Sequence, residues 1–233
     1  MNNKKDIICI NDCYFPRNAL TKHQKISVFS KTLPILMKTL INTLDVFHKY
    51  AEKNNIIYSL HGGSLMGYYW NKNIIPWDDD VDVIVSGKDI IKINKLWESG
   101  IPIKVKKYSS GFNNKLTRIV KLNNQEYEII KNIPSGIKTL FKLRPRNQNC
   151  FINRTGGIDI IYCMEYPDGS LRDSWNPHRI CGGPSNKYTE KLCPIVNFSG
   201  IKTRALINKI GEKYLDVVYS PKWRIKCHPS LKY

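Results

Sequence analysis

Two aspartates in the segment DDDVDVIV, Asp80 and Asp82, stand two residues apart and alternate with valine. Because successive side chains of a strand point to opposite faces, both carboxylates are predicted on one face, with their backbones about 6 to 7 Å apart. Two carboxylates that close repel each other and resist joint ionisation unless a cation neutralises them. Mg²⁺ is held by a few carboxylates together with substrate phosphates, and Mn²⁺ accepts similar ligands. The pair therefore predicts a divalent-metal site.

A third carboxylate, Asp159, lies in the middle of the apolar segment GGIDIIYC at residues 156–163. If this segment is a strand beside the one that carries Asp80 and Asp82, the three carboxylates meet. Such a trio can hold metal ions around an in-line displacement at phosphorus. We predict the three as metal ligands and catalytic residues, and the two aspartates before Asp80 as turn-capping residues.

Upstream of the aspartates, Gly62, Gly63 and Ser64 stand at the predicted end of a strand and the start of a helix. Glycines at that place let backbone amides approach an anion closely, and the Ser64 hydroxyl adds a donor. We predict these three residues as phosphate contacts of a substrate. A glycine-serine turn followed by Asp-x-Asp on the next strand is the arrangement of the nucleotidyltransferase fold.

The elements that position these residues follow from apolar periodicity. Apolar residues recur at i, i+3, i+4 and i+7 from Leu33 to Ala51, which predicts a long amphipathic helix. The other predicted elements are strands at 56–60, 80–85 and 156–163, helices at 64–69, 88–97 and 203–215, and a hairpin of 103–108 with 115–121. Residues 170–186 read as a loop.

The alternation of helices and strands, without an internal repeat or a linker, predicts one α/β domain over residues 1–233. Its architecture is predicted as a nucleotidyltransferase-like mixed β-sheet flanked by helices. Residues 1–30 form an N-terminal extension in this interpretation, and residues 102–146 form a basic insertion.

The predicted basic insertion contains eleven Lys or Arg against two Glu, which is half of the net charge of +18. A charge of this size favours polyanionic partners, such as nucleotide phosphates or nucleic acid. The chain is also rich in Lys, Asn and Ile, a compositional bias that raises the lysine content without any functional cause.

The sequence disfavours a membrane-spanning protein and a secreted one. No stretch approaches the roughly 18 apolar residues that cross a bilayer, and the first twenty residues lack the apolar core of a secretory signal. The seven cysteines include no Cys-x-x-Cys pair, which favours reduced cysteines. We expect a cytoplasmic or otherwise intracellular protein without a membrane span.

The segment GGSLMGYYWNKNIIPWDDDVDVIV at residues 62–85 closely resembles the signature of the LicD family. This family includes bacterial phosphocholine transferases and fukutin-type ribitol-phosphate transferases. Its members carry Gly-Gly-Thr-Leu-Leu-Gly and then Ile-Pro-Trp-Asp-Asp-Asp-Ile-Asp. Here Ser64 replaces the threonine and Met66 a leucine, whereas residues 75–80 and Asp82 match. The resemblance is fainter at residues 156–163 and 211–223.

One position departs from the family pattern. Trp70 stands where the family usually has an arginine, and Lys72 matches a common basic position. The resemblance therefore implies Lys72 as a phosphate contact. It also implies a metal-dependent transferase that moves a phosphorylated alcohol from a CDP-linked donor to a sugar hydroxyl on a glycan.

The sequence leaves two other functions open. The same fold could transfer a nucleotide onto RNA or protein, which the net charge favours. A nucleic-acid-binding protein without catalysis is the second alternative, although the intact aspartates argue against a decayed enzyme.

Overall fold

The chain is described by a computed structural model, which covers residues 7–10, 13–16, 33–75, 78, 80–103, 115–132, 141–146, 157–168, 170–173, 180–182 and 191–224. Within these residues the protein is mixed α/β, with helices packed against a central mixed sheet. The predicted fold class is confirmed at this level, and the arrangement is compatible with a nucleotidyltransferase-like fold.

The central sheet contains nine strands of the described residues. They are β3 (Tyr58–Leu60), β4 (Val81–Ser86), β5 (Ile101–Ile103), β6 (Lys115–Leu122), β7 (Gln125–Asn132), β8 (Phe141–Pro145), β9 (Ile158–Glu165), β10 (Leu171–Asp173) and β11 (Ile180–Gly182). Only the pair β4–β9 is parallel among them; the others pair antiparallel. One edge of β9 pairs with β4, and its other edge is shared by β8 and β10.

Two antiparallel hairpins complete the strands: β1 (Ile7–Ile10) with β2 (Cys13–Pro16), and β12 (Ile195–Phe198) with β13 (Ile201–Arg204). The helices are α1 (Leu33–Lys53), α2 (Gly62–Asn71), α3 (Ile90–Glu98) and α4 (Asn208–Tyr219), followed by a 3₁₀ turn at Pro221–Arg224. No described helix is both long enough and apolar enough to cross a bilayer.

The predicted first helix is confirmed, and its apolar stripe forms much of the core. Leu36, Leu40, Leu44 and Phe47 are buried at helical spacing on one side of α1. The Phe47 ring meets the Tyr58 ring of β3 edge to face, with centroids 5.0 Å apart. Burial of this stripe fixes α1 against the sheet, which is why a helix with a polar opposite face is stable here.

The described part of the predicted basic insertion continues the central sheet as the antiparallel meander β5–β6–β7–β8. The predicted pairing across its first hairpin is confirmed where it is described, with Ile103 opposite Thr117. Residues 104–114 lie outside the described residues. A second hairpin turns at Asn123 and Asn124, whose φ angles of 48° and 61° suit a two-residue turn.

The predicted final helix at 203–215 is wrong at its beginning. Ser199 and Gly200 adopt positive φ and turn the chain back, so that Ile201–Arg204 pairs with β12. Helix α4 begins only at Asn208. Tertiary contacts override the helical periodicity here: Arg204 is buried and its guanidinium binds both carboxylate oxygens of Glu52 on α1.

The predicted loop at 170–186 is also wrong in part, because it contains β10 and β11. β10 pairs with the second half of β9, with Leu171 opposite Glu165. These strands have three residues each, too few for an alternating pattern to reveal them. Other predicted elements are present with bounds shifted by at most two residues.

Candidate active site

The two strands that carry the predicted carboxylates are neighbours. β4 and β9 pair in parallel, with Asp82 directly opposite Asp159. The prediction that the strand of Asp159 lies beside residues 80–85 is therefore confirmed. Because residues opposite each other in neighbouring strands share a face, both carboxylates lie on the same side of the sheet.

Asp80, just before β4, completes a cluster of three. One carboxylate oxygen from each of Asp80, Asp82 and Asp159 lies within 4.8 Å of the other two. The oxygen ligands of an octahedral Mg²⁺ ion lie about 3 to 4 Å apart, so small side-chain rotations bring these oxygens to ligand positions. Hard carboxylate oxygens in this number are the donors that Mg²⁺ and Mn²⁺ prefer. The residues present thus fit the predicted divalent ion.

The electrostatics of the cluster favour a cation. Burial of the Asp82 carboxyl group raises its pKa well above the ordinary value, and repulsion from Asp80, Asp159 and Asp78 raises it further. A carboxylate in this position is costly to ionise unless positive charge compensates it. A bound divalent ion would supply that charge.

A lysine that sequence reasoning did not single out, Lys142, supplies positive charge within the protein. It lies in β8, opposite Asp159, so that Asp82, Asp159 and Lys142 form one row across three strands. Its ammonium is 3.1 Å from Asp159 Oδ1 and 3.6 Å from Asp80 Oδ2. Burial alone lowers the pKa of Lys142, but Asp159 and Asp80 outweigh it and the pKa is raised.

Lys142 could have been suspected from the segment FKLRP, in which buried Phe141 and Leu143 alternate with basic residues. That alternation predicts a strand with Lys142 on its second face. The predicted role of residues 102–146 rested on their net charge alone and therefore missed this alternation.

The predicted glycine turn lies directly against the carboxylates. Gly62 begins α2 with a φ of +51°, a conformation that glycine adopts without strain. A Cβ atom on Gly62 would lie 3.1 Å from Asp82 Oδ2, and one on Gly63 would lie 2.7 Å from Asp78 Oδ2. The glycines therefore allow two carboxylates to pack on the N-terminus of α2, whose dipole favours negative charge.

The third predicted phosphate contact, Ser64, has a structural contact in the protein. Its buried hydroxyl oxygen accepts a hydrogen bond of 3.0 Å from the backbone N–H of Asp82. In addition, the backbone N–H of His61 donates to the Asp82 carbonyl oxygen. Ser64 and the residue before α2 thus both bind the Asp82 backbone, which holds Asp82 at the start of the helix.

The structure does not bring Lys72 to this cluster. Lys72 follows the last residue of α2, whereas the carboxylates lie at its first residues, about 15 Å away along ten residues of helix. Its ammonium lies 3.6 Å from the centroid of the Tyr68 ring. The phosphate contact of Lys72 stays a prediction.

Trp70, which stands at the family's arginine position, lies near the C-terminal end of α2. Its indole N–H donates to the carbonyl oxygen of Trp223 over 2.7 Å and so attaches the 3₁₀ turn to α2. Three residues of the same signature, Pro76, Trp77 and Asp79, lie outside the described residues.

Comparison with known proteins places this geometry in a family context. Residues 55–135 match the model of the LicD/FKTN/FKRP nucleotidyltransferase domain. The lipopolysaccharide cholinephosphotransferase LicD of Haemophilus influenzae is 42% identical to this chain over 57 residues. The resemblance to the LicD family is confirmed.

The LicD match covers only part of each chain. The aligned residues are 24% of this chain and 22% of the Haemophilus protein, so the chain matches about a fifth of that relative's length. The matched residues 55–135 contain the glycine turn, Asp80 and Asp82. Asp159 and Lys142 lie beyond them, and the pairing of β9 with β4 and β8 brings both to the LicD signature.

Proposed function

We propose that this protein is a LicD-like phosphotransferase. It transfers a phosphorylated alcohol, of the phosphocholine or ribitol-phosphate type, from a CDP-linked donor to a sugar hydroxyl on a glycan. The observation that carries the proposal is the carboxylate cluster of Asp80, Asp82 and Asp159 on paired strands beside the glycine turn. The partial match to a cholinephosphotransferase supports the reaction class.

In this reaction the oxygen of the acceptor hydroxyl forms a bond to the donor phosphorus. The bond from that phosphorus to the oxygen of CMP breaks, and CMP leaves. The hydroxyl proton passes to a carboxylate of the cluster, which also orients the hydroxyl.

The three aspartates would hold Mg²⁺ or Mn²⁺. When bound, the ion neutralises charge on the phosphoryl group in transfer. The contacts of Ser64 and His61 with the Asp82 backbone hold the central carboxylate in place for this role. Asp78 and Asp82 repel a phosphate at the N-terminus of α2 unless positive charge compensates them, and a bound ion would add that charge.

The test is an assay of CMP release with a panel of CDP-alcohols and oligosaccharide acceptors, with Mg²⁺ and with EDTA. We expect metal-dependent release from at least one donor, and its loss in Asp82→Asn and Asp159→Asn. Asp45→Asn is the matched control, because Asp45 pairs with Lys49 on an outer turn of α1. Release that persists in EDTA, or in both site variants, would refute the proposal.

A second candidate is nucleotide transfer onto RNA, which the net charge of +18 favours. Most of the described Lys and Arg residues of the basic segment contact carboxylates, backbone carbonyls or aromatic rings of the protein itself, which argues against their binding RNA phosphates. These residues are Arg118, Lys131, Lys142, Arg144 and Arg146. RNA binding whose log K falls by about 0.7 to 0.9 per phosphate contact with log salt would favour this candidate.

A further inference from the structure

The ammonium of Lys142 lies against carboxylates that the proposed chemistry assigns to a metal ion. Its ammonium contacts Asp159 and lies near Asp80, two of the three carboxylates that would hold the ion. All three side chains are mostly shielded from solvent, with exposed fractions of 17% for Lys142, 15% for Asp159 and 25% for Asp80. Water and salt therefore screen these ion pairs less than they screen pairs on the surface.

The position of Lys142 is fixed by the fold. β8 pairs with β9 in a register that sets Lys142 opposite Asp159, and Phe141 and Leu143 on either side of it are fully buried. The stem of the side chain emerges from a strand that cannot slip by one residue without exposing those apolar neighbours. The ammonium is thus part of the site's architecture.

The Lys142 ammonium and a divalent ion would compete for the same carboxylate oxygens. A divalent ion needs the carboxylate oxygens of Asp80 and Asp159 as ligands, and Lys142 already takes Asp159 Oδ1. An ammonium that stays within 4 Å of a bound metal ion also repels it. Either effect weakens metal binding.

We propose that Lys142 is a positioning residue that serves as the resident cation of the carboxylate cluster. It holds Asp80 and Asp159 together in the metal-free protein, and it competes with the divalent ion and so lowers the affinity of the site for metal. This inference rests on the proposed function only for the identity of the metal ligands. A lysine with a purely structural role would act in the opposite direction, because its loss would disorder the ligands and weaken metal binding.

The experiment is calorimetric titration of the protein with Mn²⁺ at about pH 8, where carboxyl protons compete least. Lys142→Met removes the charge and keeps an unbranched side chain that is one atom shorter. Lys142→Arg keeps the charge. The matched control is Lys92→Met, which removes a lysine that pairs with Asp89 over 2.8 Å at the start of α3, outside the cluster.

We expect Lys142→Met to bind Mn²⁺ at least about tenfold more tightly than the wild type, because one like charge at contact distance is removed. The Mn²⁺ affinities of Lys142→Arg and Lys92→Met should stay within about twofold of the wild-type affinity. The first variant keeps the charge at the cluster, and the second changes a charge outside it. In EDTA, Lys142→Met should unfold at a lower temperature than Lys92→Met, and saturating Mn²⁺ should raise its unfolding temperature by more than that of the wild type.

Unchanged or weaker Mn²⁺ binding by Lys142→Met would overturn the inference. If this variant does not fold, Lys142→Gln is judged by the same criterion. If only the inference about Lys142 fails, the wild type still binds Mn²⁺, and Asp82→Asn abolishes this binding. Failure of the proposed function has a different signature, in which neither the wild type nor Lys142→Met binds Mn²⁺.

Discussion

Substitution of Gly62 by alanine tests whether the glycine turn exists to admit a carboxylate. Gly62 has a φ of +51°, and a Cβ atom there would lie 3.1 Å from Asp82 Oδ2 and 3.5 Å from the Tyr219 hydroxyl oxygen. Gly200, in the turn between β12 and β13, has a φ of +82° and nothing within 4 Å of the same atom. Alanine would be strained at both positions, and only at position 62 would it also press on a neighbouring side chain.

The strain has a predictable size. A residue with a Cβ atom at positive φ is less stable by about 1 to 2 kcal/mol. For a chain of this length, each kcal/mol corresponds to a shift of about 2 to 4 °C in the unfolding temperature. Both Gly62→Ala and Gly200→Ala should therefore lower the unfolding temperature by about 2 to 8 °C.

The contact adds a second effect at Gly62 only. At 3.1 Å the Asp82 carboxylate must move by a few tenths of an ångström. Changes that displace a metal ligand through its supporting contacts cost about tenfold or more in metal affinity. We expect that loss in Gly62→Ala and wild-type metal affinity in Gly200→Ala.

The assay combines calorimetric Mn²⁺ titration with thermal unfolding followed by circular dichroism. Wild-type Mn²⁺ affinity in Gly62→Ala, together with a stability loss equal to that of Gly200→Ala, would refute the reasoning. The glycine would then serve the backbone alone.

Two further predictions concern Asp82. Because the folded-state pKa of this carboxyl is raised, its ionised form destabilises the metal-free fold, and this penalty is relieved as pH falls from neutral towards about 4. In EDTA, the unfolding temperature of the wild type should therefore rise over this pH range relative to that of Asp82→Asn. Equal pH dependence of the unfolding temperature in the wild type and in Asp82→Asn would contradict the prediction. Ser64→Ala leaves the backbone N–H of Asp82 without its acceptor, so we expect a loss of about 1 to 3 kcal/mol in denaturant unfolding. The same variant should bind Mn²⁺ more weakly, and wild-type stability and affinity would show that Ser64 does not position Asp82.

The sequence by itself determined the local elements of the site. The helical stripe from Leu33 to Ala51, the alternation around Asp82 and the glycines at the start of α2 each depend on neighbours a few residues apart. Side-chain periodicity and backbone conformational preference act over that range. The LicD resemblance was likewise visible in one short segment, residues 62–85.

Some missed elements still left local signals. Asn123 and Asn124 both adopt positive φ between β6 and β7, and an asparagine pair flanked by alternating residues is typical of a hairpin turn. The helix predicted from Thr203 failed for a different reason. Periodicity favoured a helix, and the Ser199–Gly200 turn together with the Arg204–Glu52 ion pair stabilised a strand.

The sequence named Asp159 as a candidate, and only the tertiary structure decided which distant residues complete the site. Asp159 and Lys142 are far from Asp82 in sequence and become its neighbours because β4, β9 and β8 lie side by side in one register. Lys72 is ten residues from Gly62 and stands at the opposite end of a rigid helix. Strand order and register follow from burial of both faces of the sheet, a property of the whole chain that no short segment contains.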